Sequence, residues 1–273
     1  MRAKVATPPV DGQPLALWPD APVTGPASLP RIVPYLLPGP PARACVLVFP
    51  GGGYGNHAPH ECEPVARWLN GLGVSAAVVF YRIAPHRHPL PLRDAQRAVR
   101  LARAHAAEWQ VDPRRVGVLG FSAGGHCAAS AGTIFDPGNP DAGDPVERQS
   151  SRPDAMILCY PVLTFGEYRH TGCMHNLLGE NPPGTLRHEL SLENRVTAQT
   201  PPTFLWHTTG DAAVPVQNSL LFAEALAFHQ APFALHVFPG GRHGLGLAGG
   251  DPYFGTWTAC CAQWLERIGF ARK

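Results

Sequence analysis

The stretch Val116-Gly-Val-Leu-Gly-Phe-Ser-Ala-Gly-Gly125 decides how this sequence folds. Its first five residues form an apolar run typical of a buried strand, and the small residues after Ser122 indicate a helix. The pattern Gly-x-Ser-x-Gly between them is typical of a sharp turn that lifts a serine hydroxyl to the end of a sheet. Side chains at positions 120 and 124 would collide with neighbouring elements, and the serine itself takes a strained backbone conformation. We therefore predict that Ser122 is a nucleophile.

Apolar runs and helical patterns alternate along the rest of the chain. Strands are predicted at 31–37, 44–49, 75–81, 116–120, 155–160, 203–207 and 233–238. Helices are predicted at 61–70, 92–109, 123–132, 216–229 and 253–268, with Asp112-Pro113 ending the second of them. The alternation predicts an α/β fold with a mostly parallel, doubly wound sheet, whose edge strand is the one that contains Pro34.

The whole chain, residues 1–273, is predicted to form a single domain, since 45% of its residues are hydrophobic and it can build a large core. Residues 1–30 are rich in proline and predict an extended N-terminal arm. Residues 162–200 interrupt the alternation of strands and helices. We expect this segment to be a short, cap-like insertion over the active site, because it follows the end of a strand.

The composition argues against several classes of protein. There are 22 Lys and Arg against 20 Asp and Glu, so no basic field favours nucleic-acid binding. No apolar stretch reaches the about 18 residues of a membrane span. Seven cysteines without a Cys-x-x-Cys pair are typical of buried thiols in a reducing compartment. Residues 1–30 lack the pattern of a signal peptide, so we expect a cytoplasmic protein.

A nucleophilic serine needs a base, and the base needs an acid that orients it. For this type of turn, the chain order is serine, acid, histidine. Asp211 follows the strand at 203–207 in Thr-Thr-Gly-Asp, and His243 follows the strand at 233–238 in Gly-Gly-Arg-His. We predict that Ser122, Asp211 and His243 form a catalytic triad.

Other candidates for the base and the acid fit less well. His207 and His236 lie within strand patterns, where a hydrogen-bonded core histidine is expected. Asp251 follows the predicted histidine, and Asp154 precedes a strand rather than following one.

An ester-cleaving site also needs amide donors for the negative oxygen that forms during attack. One donor is expected from Ala123, the residue after the nucleophile, and others from the glycine loop that follows the strand at 44–49. We predict an oxyanion hole formed by Gly52, Gly53 and Ala123, to which the amide of Tyr54 is a possible addition. Residues predicted to contact the substrate are Tyr54, Tyr160 and Pro161.

Neither a cofactor nor a metal is predicted. Gly53-x-Gly55-x-x-Ala58 matches a loose dinucleotide fingerprint, but the next strand ends without the acid that a nicotinamide site needs. Thirteen histidines occur without His-Glu-x-x-His or paired Cys-x-x-Cys motifs. His57 and His60 are interpreted as polar lining or helix-start residues, and His126 as a packed helix residue.

Four motifs together resemble the acetylxylan esterase group of bacterial α/β-hydrolase carbohydrate esterases, which includes endo-1,4-β-xylanase-like and bifunctional acetylxylan/feruloyl esterases. They are PGGGY at 50–54, GFSAGGH at 120–126, HTTGD ending at Asp211 and GRHG around His243. The resemblance covers about residues 44–270. Pro50 stands where lipase-type relatives have histidine, which favours carbohydrate esters over lipid esters.

The resemblance implies an α/β-hydrolase fold and a serine esterase that acts on acetyl esters of a small molecule or an oligosaccharide. A preference for acetyl over longer acyl groups follows from the resemblance and from Tyr54, if its ring lies beside the reacting carbon. An amidase or peptidase-like enzyme and a general carboxylesterase remain open, as does a non-catalytic binding protein. The sequence leaves the sugar, the ester position and the oligomeric state undetermined.

Overall fold

An eight-stranded sheet lies at the centre of the computed structural model, which describes residues 11–19 and 29–271. The strands in this part of the chain are β1 (Leu15–Ala16), β2 (Arg31–Tyr35), β3 (Arg43–Phe49), β4 (Ser75–Phe80), β5 (Val111–Phe121), β6 (Ala155–Cys159), β7 (Thr203–Thr208) and β8 (Phe233–Phe238). Their order across the sheet is β1-β2-β4-β3-β5-β6-β7-β8. β2 pairs antiparallel with both of its neighbours, β1 and β4, and all other neighbouring strands pair parallel.

Helices cover both faces of this sheet. They are α1 (Glu63–Gly71), α2 (Leu90–Ala104), α3 (Ala106–Trp109), α4 (Ser122–Thr133), α5 (Thr171–Leu178), α6 (Gly184–Glu189), α7 (Gln217–Phe228) and α8 (Thr256–Arg267). One core layer packs α2, α4 and α7 against the sheet, and the other packs α1 and α8 against its opposite face. The predicted mostly parallel, doubly wound α/β sheet is confirmed.

The second predicted helix and the strand after it have different bounds from those expected. The helix is divided at His105 into α2 and α3, and β5 already begins at Val111. Pro113 therefore lies inside a strand, where its missing amide would leave a gap in the ladder. The pairing accommodates it with a bulge, since Arg43 of β3 faces Val111 and Cys45 faces Val116.

The predicted N-terminal arm lies only partly within the described residues, because 1–10 and 20–28 are outside them. Residues 11–19 do not form a free arm: β1 pairs with the start of β2, Leu17 is fully buried and the Trp18 indole donates to Asp94 at 2.7 Å. We predicted that β2 forms the edge of the sheet. This is wrong for its first two residues, because β1 pairs with them on the outer side. Pro34 lies beyond the two residues that β1 covers.

The segment 162–200 contains α5, α6 and a 3-10 turn at Leu192–Arg195. Two hydrogen bonds attach it to the predicted site: Val162 N–H donates to the carbonyl of Ser122 at 3.0 Å, and the Asn176 side chain donates to the carbonyl of Gly53 at 2.8 Å. Of the helices in the described ranges, including these, none has the length and apolar character needed to cross a bilayer.

Candidate active site

Ser122 lies at the junction where β5 ends and α4 begins. Its φ of +52° is in the left-handed region, which is strained for a residue with a side chain. The neighbouring glycines are required by close contacts, since a Cβ at Gly124 would overlap the carbonyl oxygens of Phe49 and Pro50. A Cβ at Gly120 would overlap the carbonyl of Gly124 in the same way. The turn thus has the strained geometry that the sequence pattern predicts.

The side chains of Ser122, His243 and Asp211 form one hydrogen-bonded chain. Nδ1 of His243 lies 2.6 Å from Oδ2 of Asp211, and its Nε2 lies 2.8 Å from Oγ of Ser122. An ionised carboxylate only accepts hydrogen bonds, so Nδ1 carries the proton and Nε2 accepts the serine hydroxyl. The Asp211 side chain is fully buried, whereas the imidazole is 24% exposed. A base in this tautomer is ready to take the serine proton.

The charge on Asp211 is maintained by its surroundings. Burial alone raises the pKa of this carboxyl, but hydrogen bonds from His207, His243 and the amide of Val214 outweigh burial and lower the pKa below its usual range. His207 is fully buried: its Nδ1 accepts the Ser219 hydroxyl at 2.8 Å and its Nε2 donates to the Val214 carbonyl at 2.9 Å. His207 is therefore a hydrogen-bonded core histidine, as expected, and it also lies 3.5 Å from Asp211.

The glycine loop passes directly against the serine. A Cβ at Gly51 would lie 3.0 Å from Cβ of Ser122. Gly52 and Gly53 have φ values of +127° and +63°, and in the described chain their amides donate to no protein acceptor. Ala123 lies in the first turn of α4, where amides have no partner within the helix. The amides of Gly52, Gly53 and Ala123 are thus free donors close to Ser122, and their role as an oxyanion hole stays a prediction.

The side chains predicted to contact the substrate are buried instead. The Tyr54 ring is 2% exposed, its hydroxyl lies 2.9 Å from Nδ1 of His126 and its backbone φ is +57°. The ring packs in the core, and its expected place beside the reacting carbon stays a prediction. Tyr160 is 1% exposed, and Pro161 is buried against Gly125. All three residues are therefore almost fully shielded from solvent, and their contact with the substrate stays a prediction.

The other histidines near the site fit structural roles. His126 is 1% exposed, its Nε2 lies 2.9 Å from the Leu190 carbonyl, and burial lowers its pKa to about 4. Burial also lowers the pKa of His57 to about 4, and this ring packs edge-on against Tyr81. His60 lies in the 3-10 turn before α1, with Nε2 3.2 Å from the Gly244 carbonyl. Within 11–19 and 29–271, no group of three or more metal-ligating side chains comes together.

Glu61 is a site residue that the sequence pattern did not reveal. It is 2% exposed and accepts hydrogen bonds from the Gly51 amide at 2.7 Å and the Tyr160 hydroxyl at 2.6 Å. In the sequence it begins a predicted helix, where a carboxylate is ordinary and faces solvent. In the sequence, the only indication that Glu61 belongs to the site is its position shortly after the glycine loop.

Comparison with known proteins places this geometry in a family. A profile of the family described as BD-FAE matches residues 40–226. The chain belongs to this family. A crystal structure of an acetyl ester-xyloside bifunctional hydrolase from Caldicellulosiruptor lactoaceticus is similar to this BD-FAE member, with 52% identity, a TM-score of 0.92 and coverage of 97% of this chain and 98% of that one.

Two curated relatives also resemble this BD-FAE member. Endo-1,4-beta-xylanase B of Butyrivibrio fibrisolvens is 40% identical over 84% of this chain, and the acetylxylan esterase of Xylanibacter ruminicola is 32% identical over 85% of it. The alignments cover 36% and 46% of those proteins, so the chain spans less than half the length of either. The predicted α/β-hydrolase fold and the resemblance to carbohydrate esterases are confirmed.

Proposed function

We propose that this BD-FAE family member is a serine esterase that removes acetyl groups from carbohydrates through an acyl-enzyme. The observation that carries the proposal is the hydrogen-bonded chain from Ser122 through His243 to Asp211. The deprotonated Nε2 of His243 faces the serine hydroxyl, and the ionised Asp211 stabilises the imidazolium that forms when the proton moves.

The reaction has two steps that use the same base. Oγ of Ser122 attacks the ester carbonyl while Nε2 of His243 takes its proton. The tetrahedral species collapses when that proton passes to the leaving oxygen, so the sugar departs as an alcohol and the acetyl group stays on the serine. Water then attacks the acetyl-serine and gives its proton to His243. Acetate leaves, and the proton returns to Ser122.

The negative oxygen of each tetrahedral species needs fixed donors. The amides of Gly52, Gly53 and Ala123 have no protein partner within the described chain and lie beside the serine. In a site that excludes water, each such donor lowers the barrier by about 3 kcal/mol. We propose that these three amides form the oxyanion hole.

A cleft on the insertion has polar as well as apolar side chains in its lining, and its polar groups support a carbohydrate as the leaving group. The cleft has a volume of about 320 Å³, and Arg169, Thr171 and His175 are among its lining residues. The last two belong to α5, the helix from which Asn176 donates to the Gly53 carbonyl. Hydroxyl, imidazole and guanidinium groups suit the hydroxyls of a sugar better than an alkyl chain. The relatives, among them an acetylxylan esterase and an acetyl ester-xyloside hydrolase, point to xylose-based oligosaccharides.

The test compares acetylated xylo-oligosaccharides with aryl acetates and aryl acetamides as substrates. We expect the protein to release acetate from the oligosaccharides and aryl acetates, and the Ser122→Ala variant to release none above background. Activity confined to aryl esters would indicate a general carboxylesterase, and faster cleavage of the acetamides would indicate an amidase. Either result would contradict the proposal.

A further inference from the structure

We propose that Glu61 and Tyr160 are positioning residues that hold the glycine loop and the His243 loop in fixed relation to each other. The inference rests on the proposed function, because it assigns these residues a role in orienting the oxyanion donors and the base. Neither residue needs to touch the substrate, since both are almost fully buried.

Three hydrogen bonds join the two loops through these side chains. The Gly51 amide donates to Oε2 of Glu61 at 2.7 Å. The Tyr160 hydroxyl donates to Oε1 of the same carboxylate at 2.6 Å, and the Gly246 amide donates to the hydroxyl oxygen at 2.8 Å. The path therefore runs from the loop that carries the predicted oxyanion donors to the loop that carries the predicted base.

Glu61 controls the direction of the glycine loop through one peptide group. Its carboxylate takes the Gly51 amide, while the next two amides, those of Gly52 and Gly53, donate to no acceptor in the described residues. Fixing the first peptide plane limits how the following peptides turn, and these glycines have no side chains to restrain them. The carboxylate thus limits the directions in which the free amides of Gly52 and Gly53 can point.

Tyr160 acts on the base by a second contact as well. Its ring packs edge-on against the His243 imidazole, with the ring centroids 5.1 Å apart. The hydroxyl of the same side chain holds the Gly246 amide, three residues after this histidine. One side chain therefore supports both the imidazole and the backbone behind it.

The buried carboxylate also requires these donors. A basic side chain beside this carboxylate is that of His60, whose Nε2 lies 3.5 Å from Oε1 and which is 54% exposed. A buried charge without close pairing depends on its hydrogen bonds. The hydrogen bond with Glu61 raises the pKa of His60, against the effect of its own burial. Removing either donor leaves a buried acceptor unsatisfied, which couples the two loops energetically.

The experiment uses Glu61→Gln, Tyr160→Phe and the double variant, with an aryl acetate as substrate. The amide at 61 cannot accept both donors, and phenylalanine keeps the ring on His243 but loses the hydroxyl. We expect each single variant to lower kcat roughly 10- to 100-fold with little change in KM, because misplaced groups act mainly on the transition state. The double variant should lose little more than the worse single variant, because both changes break one path.

Matched controls are Glu63→Gln and Tyr253→Phe, which change an exposed carboxylate and an exposed tyrosine outside this path and should leave kcat unchanged. A thermal melt of each variant separates loss of fold from loss of positioning. If Glu61→Gln does not fold, Tyr160→Phe alone tests the inference.

Folded Glu61 and Tyr160 variants with wild-type kcat, or losses that simply multiply in the double variant, would overturn the inference and leave the esterase proposal intact. A wild-type protein that cleaves no ester would instead contradict the proposed function. The rate of Ser122 labelling by a fluorophosphonate provides an independent readout, which should fall in parallel with kcat.

Discussion

Oδ2 of Asp211 lies 2.6 Å from Nδ1 of His243, while Oδ1 of the same carboxylate accepts the amides of Ala213 and Val214 at 2.9 Å each. The two oxygens therefore have different fixed tasks. Both tasks require an acceptor, and an asparagine has only one oxygen to offer. The orientation of the imidazole thus depends on a carboxylate at this position.

Asp211→Asn should therefore lower kcat by roughly 10⁴-fold while the fold is kept, because the amide presents a donor to one of the two sides and favours the wrong imidazole tautomer. Steady-state kinetics on an aryl acetate measure the effect. The exposed Asp141→Asn is the matched control and should behave like the wild type. A harmless Asp211→Asn would mean that another acid orients the base.

Ser122→Ala should lower kcat by about 10⁴ to 10⁶-fold, since no acyl-enzyme can form without the hydroxyl. The same variant should lose covalent labelling by a fluorophosphonate probe, which mass spectrometry locates on the wild-type peptide that contains residue 122. Retained labelling at another serine together with retained turnover would refute the assignment of the nucleophile.

Gly124→Ala should destabilise the protein by several kcal/mol, because the new methyl group overlaps the carbonyl oxygens of Phe49 and Pro50 and the backbone has to shift. Gly143→Ala is the matched control, since a Cβ there meets nothing within 4 Å. Urea denaturation of both variants measures the difference. Equal stabilities would contradict the tight packing between the turn and the glycine loop.

The pH dependence of stability should reflect His126. Burial lowers its folded-state pKa to about 4 from the ordinary value of 6.5, so the unfolded state binds more protons between these pH values. Stability should thus be fully present above pH 6.5 and fall as the pH drops towards 4, by about 3 kcal/mol from this group. The buried His57 should add to the same trend.

His126→Gln should reduce the dependence of the unfolding free energy on pH. The variant should also be less stable at pH 7, because the Tyr54 hydroxyl and the Leu190 carbonyl lose their hydrogen bonds to the imidazole. Urea denaturation at pH 7 and pH 4.5 provides the comparison, and the exposed His188→Gln is the control. An unchanged slope in His126→Gln would show that this imidazole is not kept neutral by the fold.

Acetyl esters should be preferred over longer acyl esters. This expectation depends on the resemblance to acetyl esterases and on a place of the buried Tyr54 ring beside the reacting carbon. An open apolar groove would gain about fourfold in kcat/KM for each added methylene, whereas a short pocket loses activity at each step. Aryl acetate, butyrate, hexanoate and octanoate provide the series. A rise from acetate to hexanoate would favour a general carboxylesterase.

The elements that the sequence predicted well are those with a strong local signal. The apolar runs predicted the six strands that form the parallel part of the sheet. Ser122, Asp211 and His243 were predicted from their order in the chain and their places after strand ends, and their side chains form one hydrogen-bonded chain in the structure. A short run of apolar residues bounded by glycine or proline is compatible with few secondary structures other than a buried strand.

Features that depend on backbone direction could not be predicted in this way. Tyr54 and Tyr160 both have positive φ values, which reverse the side that a side chain faces, and no sequence pattern marks this for a tyrosine. Glu61 has partners 10 and 99 positions away, so its burial exists only in the folded chain. β1 has two residues and owes its place to pairing with β2 rather than to its own pattern.

The hydrogen bonds from Val162 to Ser122 and from Asn176 to Gly53 fix the insertion at its root and at α5. By contrast, α6 has no buried residue. The two parts of the insertion therefore differ in how freely they can vary during evolution. Exchanges at the anchors disturb the contacts with Ser122 and Gly53, whereas exchanges in α6 remove no buried side chain.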